Sequence, residues 1–307
     1  MKIGIASHIV FDIVQNIEEK ITESLGGPVC YGSIIAKTFN FDTLIFTKAG
    51  YDIGEKSEVL KLEDIHIRDD QIDKDNPTTK IKLNCNKDGS KDLILLSKCS
   101  PIDNILQNFD KVDGFVLSPV IDEISYEICQ NFTNVKKNNI FTIVNPSGFI
   151  RQWNKDNFSI TYKNQIDFDL NGITAFKIDE KELAVITKEI TASDGMKSLK
   201  KKFSLEFIIL TGINYALFLH KNILYSLTFN DKYNFGDVGL GDIITTGFSC
   251  SYLKEKDPLW AFCFGVGSIV TALESKKKGL EKVPRKKKLI ERNASYFYNM
   301  VKFKVMD

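Results

Sequence analysis

Hydrophobic positions fall in short runs along this 307-residue chain, separated by polar and charged stretches. Residues 2–10 open as an apolar strand, and a mostly polar segment follows as far as Ser24. The turn Leu25-Gly26-Gly27-Pro28 leads into an apolar stretch over 31–39 that predicts a helix, and 43–47 reads as the next strand. Residues 51–75 are charged and irregular. Two further strand patterns, 78–85 and 92–96, flank Asn86-Lys87-Asp88-Gly89-Ser90, which is the signature of a hairpin around an Asp-Gly turn.

Beyond the hairpin the pattern changes. Short apolar runs at 114–117, 140–144, 172–176, 207–210 and 216–219 are separated by helical patterns, among them 123–131 and 180–189. Short buried strands alternating with helices predict a mostly parallel α/β sheet. Two helices, 242–253 and 258–273, close the chain, and no repeat or low-complexity linker interrupts it.

Composition narrows the classes of function. Lys+Arg is 41 against 40 for Asp+Glu, a net charge of +1, which excludes a strongly basic nucleic-acid binder as the main identity. The basic runs 276–278 and 285–288 therefore read as solvated surface. With 43% hydrophobic and 26% charged residues, disorder throughout is excluded as well. None of the six cysteines forms a C-x-x-C pair, and with three histidines no zinc pattern arises. The N-terminus is too short and polar for a signal peptide. The most apolar stretch, 259–273, falls short of the roughly 20 residues a membrane span needs. The expectation is a reduced, cytoplasmic protein with no membrane or nucleic-acid partner. The sequons at Asn131 and Asn157 would then go unused.

The chemistry concentrates in Gly239-Leu240-Gly241-Asp242, immediately before a helical run. A glycine-rich turn at a helix start presents unpaired N–H groups and the positive end of the helix dipole, which suits phosphate or a transition-state oxyanion. A carboxylate there repels phosphate, but it can take a proton from a hydroxyl. Amides that hold a phosphoryl group beside a carboxylate facing an alcohol describe phosphoryl transfer to a hydroxyl. The plain alternative is that Asp242 is an ordinary helix N-cap. The Gly26-Gly27 turn is a second place where backbone can approach a ligand closely. No G-x-x-x-x-G-K-[ST] occurs and no G-x-G-x-x-G follows the first strand, so neither a P-loop kinase nor a nicotinamide dehydrogenase is supported.

Taken together and in order, these segments resemble the PfkB/ribokinase family of carbohydrate and nucleoside kinases. Residues 7–12, ending in Asp12, are similar to the family's first strand with its substrate-binding Asp. Leu25-Gly26-Gly27 through Ala36 is similar to the N-terminal di-glycine signature, and Lys48-Ala49-Gly50-Tyr51-Asp52 to its follow-on. Gly239–Asp242 is similar to the C-terminal G-A-G-D signature.

The resemblance implies a Rossmann-like three-layer α/β/α sandwich with a small β-sheet lid. It implies one kinase domain over 1–307, with lid segments at about 13–24 and 75–98. It implies ATP-dependent phosphorylation of an alcohol with magnesium. Asp242 would be the base, and the amides of Gly239, Leu240 and Gly241 the anion hole. Asp12, Gly26, Gly27 and Arg151 would bind the substrate. Glu182 and Asp179 resemble the N-x-x-E pair near metal and nucleotide, with Asp in place of Asn and Glu182 as the metal residue. Gly212 keeps one position of the T-x-G-x-x-G nucleotide loop, in which Leu210 and Tyr215 depart from the pattern. Gly236 stands where an Asp is usual, so a monovalent-cation site is not implied.

Within the family, Val144 through Arg151, Phe264 through Ile269, and His8 are similar to the myo-inositol-kinase-like branch. The acceptor is then a sugar or polyol, with a nucleoside or ribose as the alternative. A different class stays open: a catalytically weak member that binds ligand as a regulator. A homodimer joined through the lids is compatible with the hairpin's edge.

Overall fold

The structure, a computed structural model, describes residues 1–86, 91–103, 105, 111–125, 127–128, 140–164, 172–229 and 238–306. The Asp88-Gly89 turn, part of the helical pattern at 123–131, Asn131 and Gly236 lie outside these residues.

The core is a nine-stranded sheet. In spatial order its strands are Lys302–Val305, Ile223–Thr228, Tyr215–His220, Phe207–Thr211, Ala175–Asp179, Phe141–Val144, Gly114–Leu117, Lys2–Ala6 and Asp42–Phe46. The six strands from Phe207–Thr211 to Asp42–Phe46 run parallel, and the other three add on as an antiparallel meander. Both faces are covered. Phe207 and Ile209 point into one apolar layer, Ile208 and Leu210 into the other. A strand buried on both faces reads as an unbroken apolar run, which is why these segments showed no alternation.

Helices Pro28–Thr38, Leu240–Glu255, Pro258–Glu274 and Lys287–Met300 supply Val29, Ile243, Phe262 and Ile290 to the first layer. Helices Glu180–Thr187 and Ala192–Phe203 supply Leu183 and Leu199 to the second. This is the expected three-layer α/β/α sandwich.

A separate four-stranded sheet stands over one end of the core. Its order is Ile21–Gly26, Val10–Gln15, Thr79–Cys85 and Lys91–Ser97. Val10–Gln15 pairs antiparallel with Ile21–Gly26 and parallel with Thr79–Cys85, which pairs antiparallel with Lys91–Ser97.

Several elements differ from expectation. The first strand ends at Ala6, and Val10 begins a strand of the other sheet. The apolar residue Ile9 hid that break. Residues 51–75 contain a helix, Lys56–Leu62. The chain closes with a third helix, Lys287–Met300, and an edge strand. The basic run concealed this helix, whose buried Ile290, Ala294 and Phe297 form a stripe at spacings of four and three. Arg285 in that run is exposed, and it also donates to the Glu63 carboxylate and to Val283 O.

Candidate active site

The parallel strands end at one edge of the sheet, and their C-terminal residues converge there. Ser118 follows Gly114–Leu117, Asn145 follows Phe141–Val144, Asp179 ends its strand and Thr211 ends the next. All four line a cavity of 810 Å³ enclosed between this edge and the small sheet. A crevice outside the carboxyl ends of parallel strands is the general ligand position in open α/β sheets.

Helix Leu240–Glu255 points its N-terminus into this cavity. Gly239 is its N-cap, with φ +80°, and a Cβ there would lie 2.5 Å from the Tyr31 ring. Only glycine meets both demands without strain. Because the cap is Gly239, Asp242 is the third helical residue and not an N-cap. Its Oδ1 accepts a hydrogen bond from Ser118 Oγ at 3.2 Å. Burial raises the Asp242 pKa to about 6, with Lys177 pulling the other way. A carboxylate so poised is ionised at neutral pH and still holds a proton well. The first N–H groups of the helix, from Leu240, Gly241 and Asp242, have no intrahelical partner.

Lys177 was not foreseen from the sequence. It sits inside the strand Ala175–Asp179, is 5% exposed, and lines the cavity. A Cβ on Gly241 would fall 3.0 Å from its Nζ. No hydrogen bond or ion pair holds this ammonium among the described residues. A buried cation in such a state favours an anionic ligand. The signal was a lysine within an otherwise apolar strand, and the expected strand stopped one residue short of it.

Asp179 and Glu182 form a capping box at the start of helix Glu180–Thr187. Asp179 accepts from Glu182 N at 2.8 Å, and Glu182 Oε2 accepts from Asp179 N at 3.1 Å. This is not a solvated helix start at Glu182, which is buried. Burial and then the Asp179 charge push the Glu182 pKa upward. Ser147 Oγ contacts both Glu182 Oε1 and Asn145 Oδ1. One hydroxyl carries one proton, so Ser147 donates to one of these two oxygens at a time.

Arg151 also lines the cavity. Its Nη1 donates to Val120 O at 3.1 Å, and its buried Nε has no partner among the described residues. Gly212 borders the cavity with the Tyr215 ring against it: a Cβ there would be 2.3 Å from Tyr215 Cε1. The Tyr215 hydroxyl donates to Glu180.

On the opposite side, Asp12 projects from the small sheet. Its Oδ2 accepts from the Tyr31 hydroxyl at 3.5 Å. Gly27, with φ +89°, leaves room for His8 O, which a Cβ would approach to 2.6 Å. Gly26 lies behind Asp12, and Leu240 is buried in the core; neither side-chain position faces the cavity, so Leu240 can act there only through its backbone. Cys30 is a buried thiol whose pKa burial raises, as a small core residue should be.

The two sheets are joined at their root by a buried network around His8. Ser100 O can only accept, so His8 Nε2 carries the proton and donates to it at 2.8 Å. Nδ1 then accepts from Thr79 Oγ1 at 2.8 Å, and Thr79 Oγ1 accepts from Cys99 N. Burial lowers the His8 pKa and keeps the ring neutral. Glu123 ties in His8 N, Val120 N and Ile121 N.

For magnesium, no three His, Cys, Asp or Glu side chains converge into a cage among the described residues. Magnesium is more often held by one or two carboxylates together with a donor's phosphates. Asp179 and Glu182 border the cavity near Lys177 and fit that role.

Neither a protein-family model nor a curated protein sequence matches the chain. Solved structures do. A pyrophosphate-dependent kinase in the ribokinase family, in a sulfate complex, superposes with a TM-score of 0.77 at 18% identity, covering 94% of this chain and 99% of that one. A pyrophosphate-dependent ribokinase-family kinase complexed with a pyrophosphate analogue and myo-inositol gives 0.75 at 17%, covering 94% and 99%. Arabidopsis thaliana ribokinase with ribose and ATP gives 0.69 at 16%, covering 95% and 98%. The fold is that of the ribokinase-family kinases, as the glycine signatures implied, and inositol kinases stand among its structural neighbours. No helix among the described residues is long and apolar enough to cross a membrane.

Proposed function

We propose that the protein is a phosphotransferase that moves a phosphoryl group from a phosphate donor to an alcohol of a small molecule. The observation that carries this reading is one constellation: Asp242 at the third position of a helix capped by Gly239, with the buried Lys177 ammonium beside Gly241. Phosphoryl transfer asks a protein mainly for positioning and charge stabilisation, and this constellation supplies both.

The acceptor hydroxyl oxygen attacks the donor's terminal phosphorus and forms the new O–P bond. The bridging P–O bond breaks, its electron pair leaves with ADP or orthophosphate, and the hydroxyl proton goes to Asp242. The amides of Gly239, Leu240 and Gly241, with Lys177, face the charge that spreads over the transferred group. Magnesium held by Asp179 and Glu182 would neutralise charge on the donor. Asp12, beside Tyr31, holds acceptor hydroxyls, with Gly27 shaping the turn and Arg151 at the cavity wall. The small sheet acts as a lid that excludes water from the reaction. One kinase domain then spans 1–307, with the lid inserted at about 13–24 and 75–98.

The donor implied by the resemblance is ATP, with Gly212 in the nucleotide loop. A second reading, pyrophosphate as donor, is favoured by Tyr215. Its ring packs against Gly212 and its hydroxyl donates to Glu180, two residues that line the cavity. Three structural neighbours are pyrophosphate-dependent by name. The acceptor is a sugar, polyol or nucleoside. The regulator alternative predicts donor binding without transfer. The test is the melting temperature with ATP or pyrophosphate plus magnesium, followed by product analysis: the bound donor raises Tm, and its terminal phosphoryl appears on the acceptor. A Tm shift with no phosphorylated product from any acceptor would favour the regulator.

A further inference from the structure

Two lysines are buried among the described residues, Lys177 and Lys282. Both meet the turn that opens helix Leu240–Glu255. Lys177 lines the cavity beside Gly241. Lys282 meets the turn from outside the cavity lining. Its Nζ donates to Val238 O, directly before the Gly239 cap, and stands 5.9 Å from the centre of the Tyr31 ring. Tyr31 in turn packs on Gly239.

Peptide geometry gives the contact with Val238 its meaning. No peptide bond is cis among the described residues, and a trans peptide carries its C=O and N–H on opposite sides. Holding the Val238 carbonyl on Lys282 therefore turns the Gly239 N–H away from Lys282. Val238 and Gly239 both line the cavity. An apolar side chain would fill the space of Lys282 at a lower desolvation cost, and it would leave the carbonyl unheld.

The loop that delivers this ammonium is braced. Lys282 ends the short helix Gly279–Lys282, between two basic runs that read as solvated surface. A Cβ on Gly279 would fall 2.9 Å from Ser24 Cβ, so the loop sits against the small sheet. Leu280 and Val283 enter the main apolar layer. Arg285 donates to Leu280 O and Val283 O, and Pro284 O accepts from Thr38 Oγ1 at 2.8 Å. Lys282, at 3% exposure, is a charge of fixed position.

We propose that Lys282 is a positioning residue of the anion hole: its ammonium is a cation built into the chain that sets the Gly239 turn, so that the turn needs no bound monovalent ion. Lys282 touches no reacting atom. That the anion is a donor's phosphate chain rests on the phosphotransferase reading, but anion binding is measurable without turnover.

The experiment uses the full chain with magnesium and with pyrophosphate or ATP as tetramethylammonium salts, first in calorimetric titration and then in product analysis over sugars, polyols and nucleosides. Wild type should give the same affinity and kcat in tetramethylammonium chloride and in potassium chloride at equal ionic strength. Lys282→Met should weaken anion binding and lower kcat, each about 10-fold, with the acceptor KM unchanged. In Lys282→Ala, propylammonium should restore both several-fold, and tetramethylammonium, which has no N–H to donate, should restore neither. A second cavity of 350 Å³, bordered by Lys282, gives the amine a way in. Activation of wild type by potassium would overturn the inference, and it decides the matter even where a variant fails to fold. Unchanged anion binding and kcat in Lys282→Met, or a loss in Lys282→Ala that propylammonium does not repair, would overturn it and leave the kinase reading standing. Weakened anion binding in Lys282→Met with no transfer by wild type would uphold the positioning role and remove the kinase reading. Binding of neither anion to wild type would overturn both.

Discussion

The cavity has a polar floor and an apolar roof, and the two are built differently. The floor comes from strand ends and helix starts of the main sheet, and carries Asp242, Lys177, Asn145, Asp179 and Glu182. The roof comes from the small sheet and brings Asp12 among aliphatic side chains. Reaction type follows from the floor, where charge is held beside unpaired amides. On the proposed reading the acceptor lies between this roof and the floor.

The largest effect should come from the floor. Asp242→Asn removes the base and should lower kcat by about 10³-fold in a product-formation assay, with donor binding retained. The same variant should melt at a higher temperature. The folded Asp242 has a raised pKa, so the native state binds its proton more tightly than the unfolded chain does. Burying the carboxylate ionised therefore costs stability as pH rises through about 6, and a neutral Asn removes that cost.

Next comes Lys177→Met, which keeps the length of the side chain and removes its charge. Turnover should fall about 10²-fold, and the Tm gain from ATP or pyrophosphate should shrink. Turnover at the wild-type rate would take Lys177 out of the floor.

Gly239→Ala should cost stability as well as activity. A residue at φ +80° with Tyr31 2.5 Å from its Cβ is strained, on the order of 1–3 kcal/mol for the backbone alone, and chemical denaturation would read it. The pH profile gives a finer test: kcat/KM should fall on the acid side of about pH 6, where Asp242 becomes protonated, and Asp242→Asn should lose that limb. The smallest effect belongs to the roof. Tyr31→Phe deletes the hydroxyl at Asp12, should raise KM for the acceptor a few-fold, and should leave kcat little changed, since a hydrogen bond as long as 3.5 Å is weak.

The same contrast explains what the sequence showed. Gly239, Gly241 and Asp242 are neighbours in the chain, and Asp179 and Glu182 are one helical turn apart, so their joint meaning survives without a structure. The glycine turn at Gly26-Gly27 was legible for the same reason. Roof residues are spread from Val10 to Leu93 on three strands, and only the register brings Ile81 to Asp12. Lys177 was hidden because a lysine ordinarily marks a solvated position, and here the strand carries it inward. Helix Ala192–Phe203 went unseen because its apolar positions, Met196, Leu199 and Phe203, are diluted by Lys200, Lys201 and Lys202 on the exposed side.

The most direct test of the central claim is transfer itself. Wild type and Asp242→Asn would be supplied with magnesium and either ATP or pyrophosphate carrying a labelled terminal phosphate, together with the acceptor that binds most tightly. Label should move to the acceptor's hydroxyl oxygen in the wild type and should fall about 10³-fold in the variant. Equal transfer by the two proteins, or no transfer by wild type from either donor to a tightly bound alcohol, would contradict phosphoryl transfer at Asp242.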